Sequence, residues 1–243
     1  MQIQKLSVLS IYAAFLVASC ETQNDSTTNP FDSTYRALPS EATILRGGTI
    51  LTGTGARLEG ADILMRDGII IDIDKELDTT NIGVVDVHGK WITPGIIDVH
   101  SHLGVYPSPG VRAHSDGNEA TAPNTAEVWA EHSVWPQDPG FVAALAGGVT
   151  SLQVLPGSAN LFGGRGVTLK NVPGQSVMQM KFPDAPHGLK MACGENPKRV
   201  YGSKGRSPAT RMGNVAGYRS AWIDAVEYRK KLNAAKKGKG EPP

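Results

Sequence analysis

The sequence predicts an α/β protein: a small all-β region, then a larger part in which strands alternate with helices. Two observations carry that expectation. Between Ala42 and Trp91, short β-branched runs are separated by Gly- and Asp-containing turns, the pattern of strands joined by hairpins. Beyond Pro94, apolar runs of strand length alternate with segments of helical spacing, which implies a parallel sheet with helical crossovers. Hydrophobic residues make up 40% of the 243-residue chain, and 28 glycines suit a turn-rich globular protein. A formal net charge of +1 argues against a nucleic-acid partner, which calls for a basic face.

In chain order, Met1 to Lys5 is weakly basic and Leu6 to Ala18 is apolar. That run is too short to span a bilayer comfortably and suits a signal peptide, residues 1–19. Residues 20–40 are polar, with little to bury, and read as a flexible tether. Thr43–Arg46 and Thr49–Leu51 are strand segments separated by Gly47-Gly48. Ala61–Met65 and Gly68–Ile73 flank Arg66-Asp67-Gly68, a hairpin signal. Val84–Val87 and Lys90–Ile92 complete the β region. Further on, helices are expected over Thr125–Val134, Gln137–Gly147 and Ala216–Lys236, and strands over Val149–Leu155, Val167–Lys170 and Leu189–Cys193. Cys193, the second of two cysteines, is expected as a buried small hydrophobe.

The centre of the chain is Pro94-Gly95-Ile96-Ile97-Asp98-Val99-His100-Ser101-His102. So apolar a run reads as a strand buried on both faces. Residues i and i+2 of a strand point the same way, so His100 and His102 can offer their imidazoles to one point. Imidazole is a common ligand for zinc, iron and nickel. Two ligands do not make a site, and the flanking sequence has to supply the rest.

The longer run Val85-Asp86-Val87-His88-Gly89-Lys90-Trp91-Ile92-Thr93-Pro94-Gly95, continuing through His102, resembles the first barrel strand of the amidohydrolase superfamily. The resemblance implies an incomplete (β/α)8 TIM-type barrel, about its first four strands, over residues 94–243. A composite β-sandwich domain, residues 41–93, would precede it. A full barrel takes roughly 200 residues or more, whereas about 148 follow Gly95, so the N-terminal portion of a longer enzyme is expected. Val17-Ala18-Ser19-Cys20 resembles a bacterial lipobox. That implies lipidation at Cys20 and a membrane-anchored lipoprotein on the periplasmic side or in the outer membrane.

The superfamily resemblance also implies a divalent metal, zinc foremost, as one or two ions held by His100 and His102. In two-metal relatives the bridge is a Glu or a carboxylated Lys, and here Lys190 and Glu195 both qualify. The general-base Asp and two further His ligands belong to later strands and cannot be placed in this chain, so alone it is expected to be inactive. His88, His114, His132 and His187 read as surface or satisfied histidines. The glycine-rich run Leu155–Gly166 would lie on the active-site face, with Asn160 and Arg165 as substrate-binding candidates, since Arg165 can pair with a carboxylate. Together with Gly194-Glu195-Asn196-Pro197-Lys198-Arg199 it resembles the imidazolonepropionase-related branch. The expected function is hydrolysis of a C–N bond in a small-molecule amide, cyclic amide or dipeptide by metal-activated water. The rivals are an aromatic deaminase of the same superfamily and a non-catalytic envelope binding protein on a decayed barrel. An oligomer is left open.

Overall fold

The computed structural model describes residues 31–243. The signal peptide, Cys20 and the first part of the tether lie outside the described residues. The rest of the expected tether, residues 31–40, is bound to the body. Thr34 N–H donates to the Met178 carbonyl at 2.9 Å, the Ser33 hydroxyl to that of Lys181 at 2.7 Å, and Asp67 N–H to Ser40 Oγ at 2.9 Å. Composition suggested flexibility there, but hydroxyl and backbone groups have found partners that only the folded chain supplies.

The β region is one five-stranded sheet: β1 (Thr43–Leu51), β2 (Arg57–Arg66), β3 (Ile69–Asp74), β4 (Gly83–Asp86) and β5 (Trp91–Ile92). The order is β3-β2-β1-β4, with β5 also on β1. Its core is Ile50, Ala61 and Ile63, closed by Leu45, Met65, Ile73 and Ile92. The second layer of the expected sandwich is not formed among the described residues. The hairpin at Asp67-Gly68 turns with both φ positive, 52° and 74°, the geometry that matches strand twist. Gly47-Gly48 does not separate two strands. β1 runs through as a bulge, because the buried Asp62 carboxylate accepts from Gly47 N–H at 2.9 Å, Leu77 N–H at 3.1 Å and Arg46 Nε at 3.3 Å.

The larger part contains β6 (Ile96–Ser101), α1 (Pro139–Ala146), β7 (Val149–Val154), β8 (Phe162–Arg165) and β9 (Val167–Lys170). After them come α2 (Val177–Met180), β10 (Leu189–Met191), α3 (Glu195–Gly202) and α4 (Arg211–Lys236). β6 and β7 pair in parallel, the start of the expected barrel. The four consecutive parallel strands are not found. β9 lies antiparallel on β7 and β8 antiparallel on β10, so the run β8–Gly166–β9 returns against both. Gly166 lets it pass: its N–H donates to the Gly188 carbonyl at 2.8 Å, and a Cβ there would meet Leu155 at 2.5 Å. Ser176 opens α2 without a side-chain cap, whereas Thr210 caps α4 by accepting from Gly213 N–H at 3.1 Å.

The core of this part is Val105, Ala130, Phe141, Leu152, Val154, Val167, Leu169 and Met180. Two expectations fail on its margins. Ile97 and Val99 of β6 are 68% and 69% exposed; β6 is an edge strand paired among the described residues only with β7, and burial is reached only at its end, at Ser101. The expected helix over Thr125–Val134 reduces to a 3-10 turn, Ala130–His132. Backbone bonds to β8, from Thr125 N–H to the Phe162 carbonyl and from Arg165 N–H to the Val128 carbonyl, hold the segment extended.

Candidate metal centre

His100 and His102 stand at the C-terminal end of β6, where barrel folds place their chemistry. Gly104 turns the chain directly after them with φ 78°, and a Cβ there would meet Val134 at 2.9 Å and Phe141 at 3.1 Å. Asp138 fixes this turn from below. Its buried carboxylate accepts from Gly104 N–H at 2.9 Å and Ser108 N–H at 3.1 Å while capping α1 through Gly140 N–H at 2.9 Å. One side chain thus ties the loop after the histidines to the first helix, and as a cap alone it is worth about 1 kcal/mol.

The two imidazoles lie with ring centroids 5.3 Å apart at 86°. His102 Nδ1 is 2.8 Å from the Leu155 carbonyl. A carbonyl only accepts, so Nδ1 carries the proton and Nε2 keeps its lone pair, the arrangement that prepares a histidine to ligate. His100 Nε2 lies 3.0 Å from Lys190 Nζ. Lys190 is 8% exposed, on β10 opposite Gly164. Burial pushes its ammonium pKa below the ordinary lysine value, because a charge there is poorly solvated.

The alternatives left open by the sequence are placed differently. Lys190 meets His100. Glu195 opens α3 and pairs instead with Arg199 Nε at 3.2 Å, both side chains 65% exposed. Of the two substrate candidates on the glycine-rich run, Asn160 is engaged by the protein and Arg165 stays exposed. Asn160 is 1% exposed, and its amide NH2 donates to the Glu119 and Ala122 carbonyls at 2.6 and 2.8 Å and to Thr125 Oγ1 at 3.0 Å. It is a buried clamp on a loop. Arg165 lies over the Trp129 ring, 4.4 Å from its centroid. Cys193 is exposed rather than buried, since it follows β10 at the surface end of the strand.

The other histidines sit as expected. His88 pairs with Asp86 at 2.6 Å, His114 rests against Trp135, His132 lies beside Glu131, and His187 Nδ1 lies 2.9 Å from the Gly166 carbonyl. No group of three or more His, Cys, Asp or Glu side chains able to hold a metal occurs among the described residues. The donors brought together are therefore two imidazoles and one lysine.

Two of the cavities concern this region: His102 lines the first, and none of the three donors lines the second. One of about 280 Å3 is lined by His102, Tyr106, Asn118, Ser158, Asn196 and Arg199 among others. The Tyr106 ring packs edge-on to His102 at 5.8 Å and its hydroxyl bonds Asn118. Burial raises the Tyr106 pKa, partly offset by that bond. The second, about 610 Å3, carries the carboxylates Asp116, Glu119 and Glu127. Sequence reasoning missed Tyr106, Asn118, Ser158, Asn196 and Arg199 as a group, because they come from three separate loop or helix segments.

No family model matches the sequence. The chain is 36% identical to the amidohydrolase tasK of Hapsidospora irregularis over 179 residues, 68% of this chain and 18% of that one. It is 42% identical to a dihydroorotase of Caldanaerobacter subterraneus over 60 residues, 25% of this chain and 14% of the relative. The structure of an amidohydrolase from Thermotoga maritima MSB8 superposes with a TM-score of 0.74 at 40% identity, covering 82% of this chain and 51% of that one. Fold and sequence thus relate the chain to proteins of the amidohydrolase superfamily, hydrolases by name. It spans about half the length of the matched structure and less of the curated relatives.

Proposed function

We propose that the chain carries the opening half of a metal-dependent amidohydrolase anchored in a bacterial cell envelope, and that its reaction is hydrolysis of an amide, cyclic amide or dipeptide C–N bond. The observation that carries the reading is Lys190 Nζ at 3.0 Å from His100 Nε2, beside a His102 whose Nδ1–H is tied back to Leu155. Nitrogen donors of this kind suit zinc, and the kinship with amidohydrolases and dihydroorotases supports the reaction class. A buried lysine whose pKa is lowered can also react with carbon dioxide, releasing a proton, and become a carbamate oxygen donor.

His100 and His102 would hold the ion through Nε2, with Lys190 beside it. Bound there, a divalent ion polarises an amide carbonyl and makes water acidic. The chain's own groups do the positioning. Leu155 holds the His102 tautomer, Asp138 fixes the loop after the histidines, and Tyr106 walls the cavity next to His102. The reading requires further donors and a general base from sequence outside these residues. Placement in the imidazolonepropionase-related branch rests on the glycine-rich run and the segment from Gly194 to Arg199 alone.

The test is amine release from a panel of N-acyl amino acids, dipeptides and cyclic amides, by protein expressed with whatever its reading frame encodes past codon 243. Lys190→Met is expected to lower the rate by roughly 100-fold or more, the scale on which misplaced active-site groups act. An unchanged rate overturns the role given to Lys190, and no hydrolysis of any panel member overturns the reaction class. Anchoring rests on the apolar run Leu6–Ala18 and on Val17-Ala18-Ser19-Cys20. Cys20→Ser should abolish incorporation of labelled fatty acid and shift the protein out of the membrane fraction. Labelling that persists in the variant refutes the anchor.

A further inference from the structure

The cavity beside His102 bears on which amides would fit, an inference that rests on the hydrolase reading above. It opens at the C-terminal ends of β6 and β7 and is closed on one side by α3. Among the described residues, Arg199 is the one side chain of fixed positive charge on its wall, and no carboxylate lines it. Asn196, Arg199 and Val200 lie at i, i+3 and i+4 of α3, so they share one helix face. Asn196 Nδ2 donates to Ser158 Oγ at 2.6 Å. The Ser158 oxygen is then an acceptor toward α3, and its own O–H has no acceptor among the described residues.

Arg199 is aimed by its neighbours. Its Nε pairs with Glu195 at 3.2 Å, and Nη2 lies 3.5 Å from Asn196 Oδ1. Both members of the Glu195 pair are largely exposed, so water and salt screen it and it holds the guanidinium only weakly. A planar guanidinium fork matches a carboxylate better than any other common ligand group. Across Gly117 and Asn118, the larger cavity carries Asp116, Glu119 and Glu127, which repel a carboxylate. The two cavities differ in sign, and that difference orients a substrate.

We propose that the Arg199, Asn196 and Ser158 cavity receives a substrate carboxylate, so that the substrate class is an N-acyl amino acid or a peptide with a free C-terminal carboxylate. The carboxylate sits under Arg199 and Ser158 donates to it. The amide then lies toward His102, on the same wall.

The test titrates the full chain, stripped of metal on a chelating resin, with N-acetylglycine and with its neutral analogue N-acetylglycinamide, followed by 1H–15N NMR shifts. The acid is expected to bind at least about tenfold more tightly, the worth of one good charge-assisted hydrogen bond. Arg199→Gln should erase the difference, Arg199→Lys should keep part of it, and Lys204→Gln, an exposed charge outside the cavity, should leave it intact. Equal binding of acid and amide, discrimination that survives Arg199→Gln, or no saturation by either compound overturns the proposal. Metal is absent throughout, so discrimination upholds the subsite whatever the panel assay on the longer protein returns, and failure of that panel assay sinks the hydrolase reading alone.

Discussion

Replacing His100 and His102 together by alanine is expected to abolish saturable zinc binding by the chain, measured by calorimetric titration of metal-free protein. Loss of an outer-shell partner costs metal sites about 10–100-fold in affinity, and removing both imidazoles should exceed that. Lys190 alone cannot replace them, because one buried amine offers one donor. His114→Ala is the control, since His114 rests on Trp135 outside the centre. Thermal unfolding gives an independent readout. A ligand at 100 times its Kd stabilises the folded state by about 2.7 kcal/mol, so zinc should raise the midpoint of the parent chain and leave the double variant unmoved. Equal affinity in both proteins would remove His100 and His102 from the metal reading.

Lys181→Met is expected to cost about 3–5 kcal/mol of folding stability, the usual result of stranding one member of a buried ion pair. Lys181 Nζ lies 2.7 Å from Glu131 Oε2, and the two side chains are 7% and 0% exposed. The same ammonium bonds the Phe31 carbonyl, so it joins the segment entering the fold to the turn Ala130–His132. Without Lys181, the Glu131 carboxylate keeps its burial and loses the ammonium 2.7 Å from Oε2. Glu131→Leu/Lys181→Met should recover much of the loss, because an apolar pair of similar volume no longer needs solvation. Urea unfolding followed by tryptophan fluorescence measures both. A single variant within about 0.5 kcal/mol of the parent, the range of neutral surface changes, would mean that the pair carries no stability.

The elements legible in the sequence are those whose signals are local. The Asp67-Gly68 hairpin is announced by two residues that tolerate positive φ. α1 follows Asp138-Pro139 and ends at Gly147-Gly148, and the long periodic run gave α4. His100 and His102 stood out because one strand carries both. Reading failed where an outcome depends on a distant partner. Thr125–Val134 was expected as a helix, but β8 takes backbone bonds along it. The choice between Lys190 and Glu195 needed the register of β10 against Gly164. Asp62 and Asp138 carry no local signal and are buried organisers, each accepting from three donors on two segments. Arg165 and Asn160 were judged by residue type; Asn160 proves buried and bonded to three acceptors, while Arg165 stays exposed against Trp129.

The free edge of β6 has a consequence for how the molecule behaves in company. Ile97 and Val99 project from a strand whose outer backbone groups have no ladder partner, with neither proline nor lysine between Ile96 and Ser101. Proteins usually blunt such margins with charge, bulges or a covering element. Left bare, this strand is a template: another strand can dock alongside it through main-chain hydrogen bonds and bury Ile97 and Val99. The segment that most clearly marks the chemistry is thus also an open sheet edge of residues 31–243, the place where further chain of this protein or a second copy would add a strand.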